Sequence, residues 1–341
     1  MPPSPALSSS TDLTAVPLPL EALPALPPLR LAVLGHVEVV RFVEVPQLPR
    51  AGEIVRASHV HEVPAGGGAV VAVQLARLLG ERVPFFTSLG RDTAGERAAA
   101  ELTALGLELH VAWRDDAPTR EAITYVDAAG ERTITVIGER LTPTASDPLP
   151  WELLASCDGA FLTAADAAAV RHARAAKVLC ATPRTRLEIL REAAVPLEAL
   201  IGSALDPAER YSPGDLAPEP SLVITTEGAA GGRVLAAPSV ARGSRASDAE
   251  DHRADAPISA RFAAPQRRSP VRDTYGAGDS FAAGVTAGLA AGWDLTASLS
   301  LGCHCGSACL DGRGPYPGQL RRRESDGRLS TPVPAATDAA A

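Results

Sequence analysis

The twelve residues DTYGAGDSFAAG, from Asp273 to Gly284, concentrate more potential chemistry than any other stretch of the chain. Glycines at 276 and 278 let the backbone take φ > 0 and remove the Cβ atoms that would keep a ligand away. SPVR reads as a short strand before the stretch and SFAAGVTAGLAAG as a helix of small residues after it, so DTYGAGD is a strand-to-helix turn. The first helical N–H groups, from Ala277, Gly278 and Asp279, have no partner within the helix and lie at the positive end of its dipole. Together they make an anion site suited to a phosphoryl group. Asp279 at such a place has two readings. A carboxylate in a first helical turn stabilises the helix by about 0.3–1 kcal/mol. A carboxylate beside a bound phosphoryl group can also accept the proton of an attacking hydroxyl. The stretch is not a P-loop, because no lysine follows the glycines, and it is not G-x-G-x-x-G.

The elements that must position this turn alternate along the chain. LRLAVLG reads as a buried first strand, GAVVAVQLARLLG as a helix stopped by glycine, VPFFTSLG as a strand and TAGERAAAELTALG as a helix. GAFLTA, AAAVRHARAAKVLCAT, LEALIGS and SLVITTEG continue the pattern, which argues for an α/β fold with a mostly parallel sheet and helices on both faces. Two β-rich pieces, about 38–62 and 110–137, interrupt it; the second contains AITYVDAAGERTITV, a hairpin around an Ala-Gly turn. They read as a small separate sheet. Composition predicts flexible tails at 1–28 and 319–341 and a disordered surface insertion at about 238–264.

The bulk numbers restrict the partners. The chain has 341 residues and a formal charge of −8, a poor match to nonspecific nucleic-acid binding. With 46% hydrophobic but only 4% aromatic residues, a large core must be mostly Ala, Val and Leu. Five cysteines make no disulfide framework. Cys303, His304 and Cys305 sit in a helical pattern without a second ligand pair, so they read as core residues rather than zinc ligands. The opening residues lack a basic start followed by an apolar core, and no apolar run reaches membrane-spanning length. A cytoplasmic protein without membrane or nucleic-acid partners is therefore expected.

DTYGAGDSFAAGV resembles the C-terminal signature of the ribokinase-type (PfkB) carbohydrate kinases. PRAGEIVRA, PAGGGAVVAVQLARLLG, SLGRDTAGERAAAEL, TREAITYVDAAGERTI, LVITTEGAAGG and GRGP follow in that family's order, covering roughly residues 30–318. The resemblance implies a ribokinase-like three-layer α/β/α sandwich over 29–318 with a small β-sheet lid. It implies ATP-dependent phosphorylation of a hydroxyl of a sugar-like small molecule, with Mg²⁺ bridging the nucleotide phosphates and a monovalent cation as a further candidate. By resemblance, Asp279 is the base and the amides at Gly276, Ala277 and Gly278 are the anion hole. Asp273 and Thr274 position the loop and phosphates, and Thr225 and Gly228 lie near the nucleotide. The lid sheet is a candidate homodimer interface.

The chain departs from that family's pattern in three places. Gly66 and Gly67 match the usual sugar-site glycines, but Ala69 stands for a glycine and Val71 for an asparagine, and valine cannot hydrogen-bond a hydroxyl. Val40 replaces the usual aspartate after the first strand. Glu38 and His36 are the substitutes at hand, with packing as the competing role. Arg120 in the lid is placed to reach a phosphate or carboxylate on the substrate, or simply to sit in solvent. The N-x-x-E metal motif is not literal: GSALDPAERY offers Ser203 with Asp206, or Asp206 with Glu209. Two other readings stay open: a nucleoside kinase of the same fold, and a non-catalytic sugar- or nucleotide-binding protein on a kinase scaffold.

Overall fold

A computed structural model describes residues 13–236, 258–267, 269–323 and 325–332. The first strand is β1 (Leu31–Leu34), followed by β2 (Glu38–Glu44), β3 (His59–Ala65) and α1 (Gly67–Leu79). β4 (Val83–Gly90), α2 (Thr93–Ala104), β5 (Leu107–Arg114), β6 (Glu121–Val126) and β7 (Arg132–Ile137) follow. Next come β8 (Gly159–Leu162), α3 (Ala167–Ala173), β9 (Val178–Ala181), α4 (Leu187–Ala193), β10 (Ala199–Ser203) and β11 (Leu222–Thr226). The last elements are β12 (Gly232–Ala236), β13 (Ile258–Phe262), α5 (Ala277–Ala290), α6 (Leu295–Cys309), β14 (Arg321–Arg322) and β15 (Leu329–Ser330).

Nine strands form one sheet in the order β13-β12-β11-β10-β9-β8-β1-β4-β5. β11 through β5 are parallel, and β12 and β13 add an antiparallel hairpin at one edge. The inner strands are buried on both faces, which is why they read as continuous apolar runs. Successive side chains go to opposite layers. Leu31, Val33, Phe85, Phe161 and Ile201 pack with α1, α2, α5 and α6, while Ala32, Leu34, Phe86, Leu162 and Leu200 pack with α3 and α4. That is the three-layer α/β/α arrangement. The second sheet, in the order β3-β2-β6-β7, holds four strands, with β2 and β6 parallel and the outer pairs antiparallel.

Aspartates cap α2, α3 and α6: Asp92, Asp166 and Asp294 each accept an N–H of the first turn. Helices α1 and α5 instead start at Gly66 and Gly276, with no side-chain cap. Their first amides are left for another partner.

Several expectations from composition need correction. Residues 13–28 are not a tail. Leu13, Val16 and Leu26 are buried, the Leu18 amide donates to Ser300 Oγ at 2.9 Å, and Leu18 O lies 2.7 Å from His304 Nε2. Prolines lowered the apparent order of this segment, but its spaced aliphatic residues still bury against α6. Past residue 318, Gln319 and Leu320 are fully buried and a short β14–β15 hairpin follows. The insertion read at 238–264 ends in β13, paired with β12 along its length; residues 237–257 lie outside the described residues. SPVR forms no strand, and residues 110–114 belong to the edge of the large sheet rather than to the small one. Cys303, Cys305 and Cys309 are buried on α6, and burial pushes the Cys303 and Cys309 thiols up to about 12. No described helix is long and apolar enough to cross a membrane.

Candidate active site

The parallel strands end at one rim, where ligands of open α/β sheets bind. The ends of β1, β8, β9, β10 and β11 bring His36, Thr163, Thr182, Ser203 and Thr226 to one cleft of about 190 Å³. The small sheet closes it from the other side with Glu38, Arg132 and Ile134. The start of α5 lines it with Gly276, Gly278 and Asp279.

The turn before α5 is held by its own aspartate. Asp273 is 2% exposed; its Oδ1 accepts from the Tyr275 amide at 2.8 Å and its Oδ2 from the Gly314 amide at 2.9 Å. Asp273 therefore holds the turn through two backbone amides. Gly276 sits at φ 81°, a left-handed conformation that glycine takes without strain. A Cβ at Gly278 would meet nothing within 4 Å, so this backbone faces open space. Thr274 contributes its carbonyl, which accepts from Arg132 Nη1 at 2.6 Å.

Asp279 is half-buried at the wall of the cleft. Burial pushes its carboxyl above the usual carboxylate range, Arg184 and Arg132 pull it back, and the Glu38 carboxylate adds to the rise. The other side of Asp279 is the start of α1: a Cβ on Gly67 would lie 3.0 Å from Asp279 Oδ1. Gly67 has no positive φ, so the reason for glycine there is this approach. Gly67→Ala is expected to push the carboxylate aside by a few tenths of an ångström and lower kcat, by less than the roughly 100-fold that a full 1 Å misplacement can cost. Its melting temperature should barely move, because the obstacle is the end of one side chain. Steady-state kinetics paired with thermal melting checks both halves.

Glu38, Tyr275, Gly66 and Arg120 form one network under the small sheet. The Tyr275 hydroxyl donates to Glu38 Oε1 at 3.0 Å and accepts from the Gly66 amide at 3.1 Å. Arg120 Nε stands 3.1 Å from Glu38 Oε2. Arg120 is thus paired inside the lid rather than solvated. His36 is 8% exposed, packs beside Gly66, and leaves Nδ1 without a hydrogen-bond partner. Burial, then Arg140, Arg120 and Arg184, hold its pKa down at about 3, so the ring is neutral at physiological pH.

Across the cleft, Arg184 Nε donates to Glu209 Oε1 at 2.7 Å, and Arg184 Nη2 also binds Asp206. Glu209 accepts the Ser203 amide at 2.8 Å. Asp206 with Glu209 is therefore the carboxylate pair that converges here, and Ser203 contributes through its backbone. Burial raises the Glu209 carboxyl against the pull of Arg184.

Two residues expected near the nucleotide do not line this cleft. Thr225 is not in the cleft wall; Thr226 is, since neighbouring strand residues face opposite sides. Gly228 has φ 61°, lies beside Leu205 and does not line this cleft. Val71 is fully buried in the α1 core, as is Val70, whose Cγ1 would lie 3.0 Å from a Cβ on Gly276. Sequence reasoning missed Arg132, Arg184, Thr163, Thr182 and Tyr275. Only Tyr275, inside the glycine-rich turn, carried a local signal.

A cleft with open amides, a carboxylate of raised pKa and several guanidinium groups can bind an anion and move a proton beside it. The family model for pfkB family carbohydrate kinase matches residues 29–181 and 255–320. No curated protein sequence matches the chain. Among solved structures, ribokinase from Giardia lamblia is similar at 18% identity and TM-score 0.68, covering 87% of this chain and 98% of that one. Ribokinase from Arabidopsis thaliana, complexed with ribose and ATP, is similar at 19% identity and TM-score 0.63, covering 85% and 95%. Adenosine kinase from Sinorhizobium meliloti is similar at 19% identity and TM-score 0.64, covering 85% and 96%.

Proposed function

This chain belongs to the pfkB family of carbohydrate kinases, and on that premise we propose that it transfers the γ-phosphoryl group of ATP to a hydroxyl of a sugar-like acceptor, with Asp279 as the base. The observation that carries the reading is Asp279 at the wall of the cleft beside the uncapped first turn of α5. The acceptor hydroxyl gives its proton to Asp279 as its oxygen bonds to phosphorus, and the bond to the bridging oxygen of ADP breaks. The amides following Gly276 receive the charge that builds on the transferring group. Asp273 keeps those amides aimed, and Gly67 leaves room for the carboxylate. Glu38, held by Tyr275 and Arg120, is the hydroxyl acceptor placed to orient the substrate.

Asp206 and Glu209, two carboxylates lining one cleft, are the oxygen donors that would hold a magnesium ion in place of Arg184. When bound, the ion neutralises phosphate charge. A nucleoside acceptor is a second reading, supported by the similarity to an adenosine kinase.

The experiment is acceptor-dependent ADP formation from ATP across neutral sugars, sugar acids, sugar phosphates and nucleosides. Its pH dependence adds a further expectation. A protonated Asp279 cannot take the acceptor proton, so kcat/KM should fall as pH drops through its pKa. Burial places that limb above the ordinary aspartate value of about 3.9. Arg184 pulls the carboxyl down, so Arg184→Gln should move the limb to higher pH. A limb at the ordinary value, or one unmoved in the variant, contradicts this assignment of the base.

A further inference from the structure

Arginines from separate parts of the chain gather beside this cleft: Arg184 lines it with His36, Arg120 pairs with the cleft residue Glu38, and Arg140 bonds the Arg184 carbonyl. Arg120 precedes β6, Arg140 follows β7, and Arg184 and Arg186 lie in the turn after β9. The carboxylates here satisfy only part of that charge: Glu38 pairs with Arg120, and Asp206 and Glu209 with Arg184. Among the described residues no carboxylate pairs with Arg140 or Arg186. Arg140 is half-buried and binds a backbone carbonyl, Arg184 O, at 2.8 Å. Burial, then its neighbours Arg186, Arg120 and Arg184, lower the Arg140 pKa to about 10, with Glu38 alone opposing. Arg186 is held at φ 78°, a conformation a non-glycine residue adopts only under constraint. Gathering like charges costs stability unless a ligand supplies the counter-charge.

The same corner holds a neutral donor–acceptor. His36 lines the cleft, is 8% exposed, and has Nδ1 unpartnered. On α1, Val71, standing where the family pattern has a hydroxyl-binding asparagine, is fully buried and offers no polar group.

We propose that the acceptor is a polyol bearing an anionic group, a carboxylate or a phosphate ester, which seats on Arg120, Arg140 and Arg184 beside His36. This rests on the kinase reading of the same cleft. A fixed anion there orients the remaining hydroxyls toward Asp279 through guanidinium contacts that are planar and bidentate.

The test uses the full chain, with C5 and C6 aldonates and D-fructose 6-phosphate as anionic probes, and D-fructose, D-ribose and adenosine as neutral ones. Calorimetric binding and ATP-dependent turnover are both measured for the native protein, Arg140→Gln and Arg140→Lys. One anionic class should exceed its neutral counterparts by about tenfold or more in kcat/KM or affinity, which is the worth of one charge-assisted contact. Which arm wins separates carboxylate from phosphate. Arg140→Gln should remove most of that preference, Arg140→Lys should retain part of it, and the KM for ATP should hold in both. Anion binding that depends on Arg140 without any turnover would keep the subsite and overturn the kinase reading. Turnover of neutral sugars with no anion preference, failure of both anionic classes to bind, or an equal effect of Arg140→Gln on ATP would overturn the subsite.

Discussion

Asp279→Asn should lower kcat by about 10²–10⁴-fold, the range for loss of a positioned base. Asparagine keeps the shape of the side chain and its place at the cleft but cannot take a proton at neutral pH. ATP affinity should change little, because the amides of the first turn remain. Stability should not suffer. The folded-state pKa of Asp279 lies above its unfolded value, so ionisation is easier in the unfolded chain. As pH rises through that window the folded state therefore loses stability, and at neutral pH the full penalty applies. Removing the charge relieves it, and the melting temperature of the variant should equal or exceed that of the native protein at pH 7. Lost turnover with unharmed stability is the pattern of a functional group held against its own preference. A variant that melts earlier and turns over normally would make Asp279 an ordinary helix-start residue.

Glu38→Ala should produce the largest loss of stability among these substitutions. Glu38 is 7% exposed and holds both the Arg120 guanidinium and the Tyr275 hydroxyl. Truncation leaves a shielded cation and a buried hydroxyl without their acceptor. Breaking one partner of a buried pair costs about 3–5 kcal/mol. The low end applies here, because the cleft lets water reach the released groups. Melting should drop by roughly 2–4 °C per kcal/mol. Removing both charges with Glu38→Ala and Arg120→Met should recover much of the loss, since the unpaired charge is its main source. Acceptor KM should rise in both variants. A single variant that melts like the native protein would mean that the ion pair is solvated in solution and does not brace the small sheet.

What could be read from the sequence was local. The glycine-rich turn, the helix behind it and Asp279 sit within a few residues of one another, and glycine and aspartate have strong positional meaning at a helix start. Strand and helix alternation was equally plain, because parallel strands buried on both faces are continuous apolar runs. The partners of the turn were not legible. Arg132 reaches Thr274 across 142 residues, and Tyr275 reaches Glu38 across 237. No periodicity encodes such pairings. Arg184 looked like one arginine among many until the fold set it between Asp206 and Glu209. Thr226 rather than its neighbour Thr225 lines the cleft, and in a strand a step of one residue changes the face. The N-terminal stretch was misjudged because proline-rich composition hid Leu13, Val16 and Leu26, which the core takes in.

The most direct measurement is a crystal structure with a non-hydrolysable ATP analogue and an acceptor bound together. If Asp279 is the base, one acceptor hydroxyl will lie about 2.6–3.2 Å from its carboxylate, on the side facing the terminal phosphorus. The terminal phosphoryl oxygens will accept from the amides that follow Gly276. A carboxylate turned away from the acceptor, or a phosphate tail seated away from the start of α5, would contradict it.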